Sequence, residues 1–481
     1  MKYDIAIIGA GISGASIANV LSRYDLSLCI LEKSNDVSNG ASKANSGIVH
    51  AGYDAEPGTM MAGFNVRGSE LYPELCDRLD VPFERCGSFV VAFKKEDMKT
   101  LEMLKERGEA NGVNELDIIS AAELKNREAH ISDKAIAALY APGAAIVSPY
   151  ELVIALMENA MDNGAALFTG NPVGNIEKKK GVYTLTAGEK TFNADCVINC
   201  AGVYADRIHN MVLDPGFTIR PRRGEYYLLD KYAAGIARHV IFQCPTKAGK
   251  GVLIAPTAHG NIIVGPNAEN VSGREAVETT SEGLSNVWRS ALKAIPGLPY
   301  DQVITTFAGI RAEPSEKDFI IRDYPEAPGF IDVAGIRSPG LSAAPAFAFY
   351  VRDLVKKYFP GLQEKEHYHE KRRRVIRFHK LSHTEREALV RNDPRYGHII
   401  CRCESITEGE IVDIIHRNAG AATLDGVKRR ARCGGGRCQG GFCGPRIIDI
   451  LARELGIPKE KVRKDAAGSE ILTEETKGDV Q

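Results

Sequence analysis

Five of the eleven cysteines lie close together near the carboxyl end of the chain. They are Cys401, Cys403, Cys433, Cys438 and Cys443. Thiolates arranged in two pairs can bind a zinc ion or a [2Fe-2S] cluster. Zinc modules usually separate paired cysteines by about two to four residues, so the single residue between Cys401 and Cys403 favours iron–sulfur. The glycines around Cys438 and Cys443 would also let backbone N–H groups reach bridging sulfides.

A glycine-rich turn near the amino terminus predicts a dinucleotide site. A short apolar strand leads into Gly9-Ala10-Gly11-Ile12-Ser13-Gly14, and a helical stretch follows. Gly9 permits the tight turn, Gly11 lets the backbone approach a pyrophosphate, and Gly14 lets helix and strand pack closely. The helix N-terminus then presents N–H groups and a positive dipole end to the phosphates.

Glu32 narrows the choice of nucleotide. It ends the second apolar run, at 27–31, and can accept hydrogen bonds from both ribose hydroxyls while repelling a 2′-phosphate. FAD and NAD therefore stay open, and NADP is disfavoured. The segment 42–53 that follows is rich in small and polar residues, and taken alone it is typical of a surface loop.

With this segment the sequence resembles the FAD-dependent family of D-amino-acid oxidase-like enzymes. The stretch 45–52 resembles the loop that lies against the flavin in the glycerol-3-phosphate and L-2-hydroxyglutarate dehydrogenase branches. Further blocks agree over about residues 1–358. They are Asp195–Gly202, Gly224-Glu225-Tyr226-Tyr227, Pro266-Asn267-Ala268 and Ala334–Ser342, the last of which resembles the turn that delivers a helix N-terminus to the isoalloxazine.

The resemblance implies FAD as the cofactor and a set of residues that contact it. These are Gly9, Ala10, Gly11, Ile12, Ser13, Gly14, Glu32, Lys33, Ser42, Asn45, Ser46, Gly47, His50, Val173, Ala201, Gly202, Gly335, Pro339, Gly340, Leu341 and Ser342.

The carboxy-terminal cysteines also carry a resemblance. Cys401-Arg402-Cys403-Glu404, Lys428-Arg429-Arg430 and the Cys438 segment are similar to the bacterioferritin-associated ferredoxin-type domain of anaerobic glycerol-3-phosphate dehydrogenase and opine-oxidase subunits. The resemblance assigns the [2Fe-2S] ligands to Cys401, Cys403, Cys438 and Cys443, and Cys433 is interpreted as a spare thiol. A one-electron centre could pass flavin electrons singly to a partner subunit or a quinone-linked acceptor, which favours a dehydrogenase over an oxygen-using oxidase.

The expected fold class is α/β, with a Rossmann-like FAD-binding domain interrupted by an antiparallel-sheet substrate domain and followed by a small helical iron–sulfur domain. Strand-length runs in the middle of the chain lie at 217–220, 225–229, 239–243, 251–255, 261–265 and 302–307. The predicted domains are FAD-binding (1–75, 150–215, 325–360), substrate (76–149, 216–324), a connector containing the basic run 371–374 (361–396), [2Fe-2S]-binding (397–465) and a tail (466–481).

Flavin oxidation of an alcohol requires a base for the hydroxyl proton and an anchor for the substrate. The candidate catalytic residues are Arg311, whose fork suits a phosphate or carboxylate, and the histidines His50 and His259. His50 could be a base, a flavin contact or a covalent attachment point. Further candidates for anion contact are Lys43, Arg223 and Arg337.

The predicted reaction is oxidation of sn-glycerol 3-phosphate to dihydroxyacetone phosphate. The loop 50–58 resembles the L-2-hydroxyglutarate branch more closely, so that substrate or another 2-hydroxy acid is the alternative, with an opine-like amine third. The alternative from another class is a non-catalytic FAD and iron–sulfur subunit for electron transfer or redox sensing.

Composition limits the remaining possibilities. Over 481 residues, 61 basic and 62 acidic side chains give a net charge of -1, which argues against a general nucleic-acid binder. No apolar run approaches the roughly 18 residues that span a bilayer, and Asp4 interrupts the only stretch resembling a signal peptide. The scattered remaining cysteines indicate a reducing compartment. We therefore expect a cytoplasmic protein whose substrate is a small anionic secondary alcohol. We also expect an electron-accepting partner subunit, through which the protein could associate peripherally with a membrane.

Overall fold

The computed structural model describes residues 1–245 and 251–474. The helices of this part are α1 (Ile12–Leu21), α2 (Met60–Leu79), α3 (Asp97–Ala110), α4 (Ala121–Arg127), α5 (Pro149–Asp162), α6 (Ala205–His209), α7 (Ser281–Ala294), α8 (Gly340–Val355), α9 (His383–Asn392), α10 (Glu408–Ile415), α11 (Leu424–Ala431) and α12 (Gly444–Leu455).

The strands are β1 (Lys2–Ile8), β2 (Leu28–Leu31), β3 (Ile48–Val49), β4 (Phe83–Glu84), β5 (Ser88–Ala92), β6 (Asp117–Ser120), β7 (Ala137–Ala141), β8 (Ala145–Val147), β9 (Ala166–Phe168), β10 (Val173–Lys179), β11 (Val182–Ala187), β12 (Lys190–Asn199), β13 (Ile219–Leu229), β14 (Val240–Gln243), β15 (Leu253–Pro256), β16 (Ile262–Gly265), β17 (Glu269–Asn270), β18 (Val303–Pro314), β19 (Ile320–Asp323), β20 (Phe330–Ala334), β21 (Ile399–Cys401) and β22 (Ile406–Thr407).

A mostly parallel sheet forms the first domain. β1 lies between β2 and β12, β9 pairs outside β2, and β20 pairs with the end of β12, all in parallel. β10 and β11 extend β12 as antiparallel strands, and β19 is antiparallel to β20. α1 connects β1 to β2 and packs against α5 and α8, burying Ile5, Ile7 and Ile17. The predicted Rossmann-like βαβ unit is confirmed.

The second sheet belongs to the substrate domain, and its strand order is β17-β13-β16-β15-β14-β5-β7-β6, with β18 paired to β13. β14 and β5 run parallel, and the other neighbours are antiparallel. The antiparallel sheet predicted for this domain is thus present with one parallel pair. That pair joins two segments far apart in sequence, which no local pattern could reveal. A small third sheet, β3-β8-β4, lies beside the first domain.

The runs predicted at 217–220 and 225–229 belong to one strand, β13. Pro221 and Gly224 suggest breaks in the sequence, but β18 pairs with β13 from Ile219 to Leu229. A side chain at Gly224 would crowd its neighbours, because a Cβ there would lie 2.7 Å from the Arg311 Nη2 atom and 2.9 Å from the Pro266 Cβ atom.

The structure moves one predicted domain boundary and places one residue of the basic run in the interior. β19 falls inside the range predicted for the substrate domain, yet it pairs with β20 and extends the first sheet. The basic run 371–374 was predicted to be part of a connector, and within it Arg372 is buried against the carboxylate of Glu158 on α5. An ion pair with a distant helix therefore places this arginine in the interior.

The carboxy-terminal domain has its own core. Ile411, Val427, Ile447 and Leu451 from α10, α11 and α12 pack together beside the β21–β22 hairpin. The capping box predicted at the start of α10 is confirmed, with Thr407 and Glu410 exchanging hydrogen bonds. The last part of the predicted tail, 475–481, lies outside the described residues. Within the described ranges, no helix is both long enough and apolar enough to cross a membrane.

Candidate active site and thiol cluster

The glycine turn after β1 is shaped by close backbone contacts. Gly9 has φ +104°, and a Cβ on it would lie 2.5 Å from the Cys200 carbonyl oxygen. A Cβ on Gly14 would lie 1.9 Å from the Gly9 oxygen, so the helix and the turn meet at van der Waals distance. α1 begins after Gly11 with no side-chain cap, which leaves its N-terminus suited to phosphates.

Glu32 is held against this turn. Its carboxylate accepts hydrogen bonds from the backbone N–H groups of Ala10 and Ser34, each at 2.8 Å. A carboxylate has further lone pairs, so the oriented Glu32 can still accept ribose hydroxyls. Lys33 turns the other way and pairs with Glu275.

Two other predicted FAD contacts lie beside the same turn. Ala201, at the end of β12, has its Cα within 3.5 Å of where a Gly9 Cβ would be, and Gly202 follows it with φ +57°. Val173 starts β10 just after Asn171, whose N–H donates to the Glu32 carbonyl oxygen at 2.8 Å. The structure thus brings together segments separated by up to about 190 positions in the chain, as the resemblance implies.

The segment 42–50 connects the start of α1 with the start of α8. The Ser42 hydroxyl accepts from the Ile12 N–H at 2.9 Å, and Asn45 Oδ1 accepts from the Gly47 N–H at 2.8 Å. At the other end, the His50 N–H donates to the Ser342 hydroxyl in the first turn of α8, also at 2.9 Å.

A cavity of about 710 Å³ lies between the two large sheets. The turn 335–341, which delivers α8, forms one wall, and the segment 41–50 forms another. β13 and β18 supply the third. The predicted contacts Ile12, Ser42, Asn45, Ser46, His50, Pro339, Gly340 and Leu341 line this cavity. Gly340 at the start of α8 and Ile12, which directly follows the glycine turn, both line this cavity, and this arrangement fits FAD.

Two arginines lie side by side on the wall that β13 and β18 form. Arg311 on β18 is paired with Arg222 on β13, and both line the cavity. Arg311 Nη2 donates to the Asn267 carbonyl oxygen at 3.2 Å. The Arg222 Nε is buried and has no hydrogen-bond partner in the described part of the chain. Two guanidinium groups with free donors can bind a doubly charged anion.

Arg222 was not among the residues expected from the sequence, which pointed to Arg223. Side chains alternate along a strand, so Arg222 and Tyr226 face the cavity while Arg223 faces the other way. Arg223 is buried and pairs with Glu269 and Glu278, each at 2.8 Å. The alternation itself is the signal that could have distinguished the two arginines.

The other two candidates for anion contact, Lys43 and Arg337, each form an ion pair with a carboxylate of the chain. Lys43 Nζ lies 3.2 Å from the Asp465 carboxylate of the carboxy-terminal segment, and it does not line the cavity. Arg337 does line the cavity, but its Nη1 pairs with Glu313 at 3.1 Å.

The two candidate histidines are in different places. His50 lines the cavity, stacks on Phe242 with ring centroids 5.7 Å apart, and has its Nε2 3.5 Å from the Ser338 hydroxyl. His259 lies outside the cavity, with its Nε2 2.8 Å from the Glu151 carboxylate at the start of α5. His50 and Arg311 therefore line the same cavity, and His259 does not.

Glu151 explains where His259 belongs. Burial would raise the pKa of this carboxyl, but the positive charges of His259, Arg377 and Arg432 outweigh burial and lower its pKa to about 2. Since Arg432 directly precedes the cysteine loop, His259 is part of a charged network between the substrate domain and the carboxy-terminal domain.

The cysteines of the carboxy-terminal domain form two groups. The Sγ atoms of Cys403 and Cys438 are 3.8 Å apart. Cys401, Cys433 and Cys443 are buried in the core of this domain. Two sulfurs on one tetrahedral metal at about 2.3 Å would be roughly 3.8 Å apart, which matches the first pair.

This arrangement fits a binuclear cluster. Among the residues described, no three His, Cys, Asp or Glu side chains could hold a single metal ion together. A [2Fe-2S] cluster instead takes two protein sulfurs on each iron. The predicted ligands Cys403 and Cys438 lie close enough to share one iron, and Cys401 and Cys443, which are both buried, are the predicted ligands of the other.

The chain belongs to the FAD dependent oxidoreductase family, whose model matches residues 4–354. A model of the BFD-like [2Fe-2S] binding domain matches residues 399–453. Both resemblances proposed from the sequence motifs are thereby confirmed.

Individual relatives narrow the likeness further. The chain is 51% identical over 479 residues, the full length of both chains, to a glycerol 3-phosphate dehydrogenase of Caloramator mitchellensis. It is 33% identical over 279 residues to the L-2-hydroxyglutarate dehydrogenase of Escherichia coli K12, covering 57% of this chain and 65% of that one. The solved L-alpha-glycerophosphate oxidase of Mycoplasma pneumoniae with FAD bound superposes with a TM-score of 0.73 at 30% identity, covering 77% of this chain and 98% of that one.

Proposed function

We propose that this chain is an FAD-dependent dehydrogenase that oxidises sn-glycerol 3-phosphate to dihydroxyacetone phosphate and passes the electrons to its [2Fe-2S] cluster. The observation that carries the proposal is the placement of Arg222, Arg311 and His50 around one cavity. An anion anchor and a proton acceptor that line the same cavity are what a phosphorylated secondary alcohol requires.

The two arginines hold the phosphate. A phosphate dianion presents three oxygens, and the paired guanidinium forks of Arg222 and Arg311 can each donate to two of them. Because both arginines stand on neighbouring strands, their separation is set by the sheet rather than by flexible loops. This wall would therefore fix one end of the substrate and leave its C2 hydroxyl free to face the segment that contains His50.

His50 takes the proton of that hydroxyl. Its backbone N–H is held by Ser342 and its ring stacks on Phe242, so the imidazole has a defined position at the cavity wall. FAD, when bound, accepts the hydride from C2. His50 must be neutral to accept the proton, and Ser338 beside its Nε2 can help to orient the ring.

A second candidate substrate has a specific observation in its favour. L-2-hydroxyglutarate is also a small anionic secondary alcohol, and the loop 50–58 resembles that branch. Its two carboxylates could use the same arginines one at a time. The facing pair of guanidinium groups favours a single doubly charged group, and the full-length relative carries the name of the phosphate substrate.

The thiol cluster provides an exit for electrons. Cys403 is exposed, and the arginines on either side of the cysteine loops, Arg402 and Arg437, are also exposed. A separate electron-accepting protein subunit could reach the cluster from that side. None of the eleven cysteines, all of which lie in the described residues, forms a disulfide, which supports a reducing, cytoplasmic setting.

An anaerobic reduction experiment tests the proposal. sn-Glycerol 3-phosphate added to the holoenzyme should bleach the flavin absorbance and then produce the electron paramagnetic resonance signal of the reduced cluster. Glycerol and inorganic phosphate serve as controls and should do neither. Bleaching by L-2-hydroxyglutarate but not by glycerol 3-phosphate would reverse the substrate assignment, and full cofactor loading with no reduction by any alcohol would support a non-catalytic subunit.

A further inference from the structure

Glu225 carries a buried carboxylate close to the substrate cavity, and the proposed function gives it no role. It lies on β13 between Gly224 and Tyr226 and is fully buried. Side chains alternate along a strand, so Glu225 points away from the cavity that Arg222 and Tyr226 line. A buried carboxylate needs hydrogen-bond donors, because an unpaired charge in the interior is costly. The donors that Glu225 receives therefore indicate what it holds in place.

One carboxylate oxygen of Glu225 holds Asn267, in the loop after β16. Glu225 Oε2 accepts a hydrogen bond from Asn267 Nδ2 at 2.8 Å, and Asn267 Oδ1 accepts one from the Glu225 backbone N–H, also at 2.8 Å. Both ends of the Asn267 amide are therefore fixed by the same residue. Asn267 itself lines the cavity, and its carbonyl oxygen accepts the 3.2 Å hydrogen bond from Arg311 Nη2.

The other carboxylate oxygen of Glu225 holds the start of α7. Glu225 Oε1 accepts hydrogen bonds from the Thr280 backbone N–H at 2.7 Å and from the Thr280 hydroxyl at 2.9 Å. Thr280 is the N-cap of α7, so the carboxylate also lies at the positive end of that helix. The contact is close-packed, since a Cβ on Gly283 would overlap the Glu225 Oε2 atom. Glu225 is thus fixed by a helix on one side and can hold Asn267 on the other.

These contacts form a chain from α7 to an arginine of the substrate wall. β18 fixes the backbone of Arg311, but a long side chain on a strand still has several rotamers. The hydrogen bond to the Asn267 carbonyl selects one in which the guanidinium lies against Gly224, where a Cβ would be 2.7 Å from Nη2. An arginine that is already oriented loses less conformational entropy when it binds an anion. Holding Asn267 in place therefore favours binding at Arg311.

We propose that Glu225 is a positioning residue for the substrate phosphate, acting through Asn267 to orient Arg311. The proposal rests on the proposed function, in which Arg311 binds the phosphate. Glu225 does not line the cavity, so it has no direct contact with the substrate. Loss of its contact with Asn267 should therefore weaken substrate binding, while the rate of flavin reduction at saturating substrate should be nearly unchanged.

An exchange of donor and acceptor tests the contact between Glu225 and Asn267. Glu225→Gln places two amide N–H₂ groups against each other, and Asn267→Asp places two carboxylates together, so each single change breaks the contact. In the double variant the introduced amide can donate to the introduced carboxylate, which restores the contact. We expect each single variant to raise the half-saturating glycerol 3-phosphate concentration for flavin reduction roughly 10-fold, and the double variant to recover most of that loss.

Two further variants show whether the effect depends on Arg311. When Glu225→Gln is added to Arg311→Ala, the half-saturating concentration should change less than about twofold, because the residue that Glu225 orients is already absent. Glu278→Gln is the matched control. It removes an exposed carboxylate that pairs with Arg223, on the same face of β13, and it should leave the half-saturating concentration at the parent value.

The outcomes distinguish this proposal from the proposed function. A double variant as impaired as the worse single variant would overturn the role of Glu225, and so would an undiminished effect of Glu225→Gln in Arg311→Ala. FAD content and melting temperature are measured on every sample. If Glu225→Gln does not fold, Asn267→Ala in its partly exposed loop decides, because it removes both hydrogen bonds and a parent-like half-saturating concentration would overturn the proposal. Failure of glycerol 3-phosphate to bleach the parent protein would reject the proposed function instead.

Discussion

Asp36 and Arg430 form a buried two-pronged ion pair, with Nη1 and Nη2 of the arginine 2.8 and 2.7 Å from the two carboxylate oxygens. Asp36 lies between β2 and the segment that lines the cavity, and Arg430 lies on α11, just before the cysteine loop. Arg429 adds a third contact to the same carboxylate at 2.7 Å. The flavin-binding loops and the cluster-bearing helix are therefore joined by charge.

Asp36→Asn should loosen this connection. The substitution removes the counter-charge of the buried Arg430 and one of the two carboxylates paired with Arg429, and breaking a buried ion pair typically costs about 3 kcal/mol. We expect a lower melting temperature by calorimetry and a slower appearance of the reduced-cluster signal, with flavin bleaching by substrate unchanged. Glu70→Gln, which removes an exposed helix pair with Arg67, is the control and should change stability by less than about 0.5 kcal/mol. Unchanged melting and unchanged cluster reduction would show that the pair is dispensable.

The same carboxylate predicts an acid-dependent stability. Burial would raise the pKa of Asp36, but Arg430 and Arg429 outweigh it and lower the pKa from 3.8 to about 2. A lowered folded-state pKa contributes stability above the unfolded pKa, and this contribution, about 2 kcal/mol, is lost as pH falls from about 4 towards about 2. Urea unfolding of the parent protein and Asp36→Asn across this range should show a difference that shrinks on acidification. A constant difference would contradict the assignment.

Arg311→Ala and Arg222→Ala should each weaken substrate capture. A hydrogen bond to a charged group is worth about 1.5–3 kcal/mol, so kcat/KM for glycerol 3-phosphate should fall roughly 10- to 100-fold. Arg220→Ala is a matched control, because Arg220 lies on the same strand but is exposed and does not line the cavity. Stopped-flow flavin reduction measures all three. A loss in Arg220→Ala equal to the others would indicate a general effect of charge.

His50→Asn should slow the chemical step. Removing a positioned base typically lowers the rate by about 10²- to 10⁴-fold. The pH dependence of flavin reduction should also lose its acidic limb, which a merely structural role would leave in place. His259→Asn should keep the parent rate, since His259 lies outside the cavity beside Glu151. The opposite pattern would return the catalytic role to His259.

Gly14→Ala tests the packing of the glycine turn. The added methyl would lie 1.9 Å from the Gly9 oxygen, so the turn must open and FAD content should fall sharply. Gly63→Ala on α2 is the control, because a Cβ there would meet nothing within 4 Å. This substitution should stabilise the helix by up to about 1 kcal/mol and leave the FAD content unchanged. The flavin-to-protein absorbance ratio of the purified variants reports the result.

Local patterns were sufficient for the features that depend on neighbouring residues. The glycine turn, the acidic residue at the end of β2 and the capping box of α10 are each built within a short segment, and each is present as expected. The domain order followed as well, because the motifs that identify each domain are contiguous. Local patterns did not show β13 to be one continuous strand, since its continuity depends on pairing with the distant β18.

The residue types and spacings determined the cofactor classes and the two domains that hold them. Only the tertiary structure decided which side chains share a space. It placed Arg222 rather than Arg223 at the cavity, because adjacent residues on a strand face opposite ways. It paired His259 with Glu151, since that contact joins segments that no local pattern connects. Spacing along the chain specifies what a motif can do, whereas packing between distant elements determines what its neighbours are.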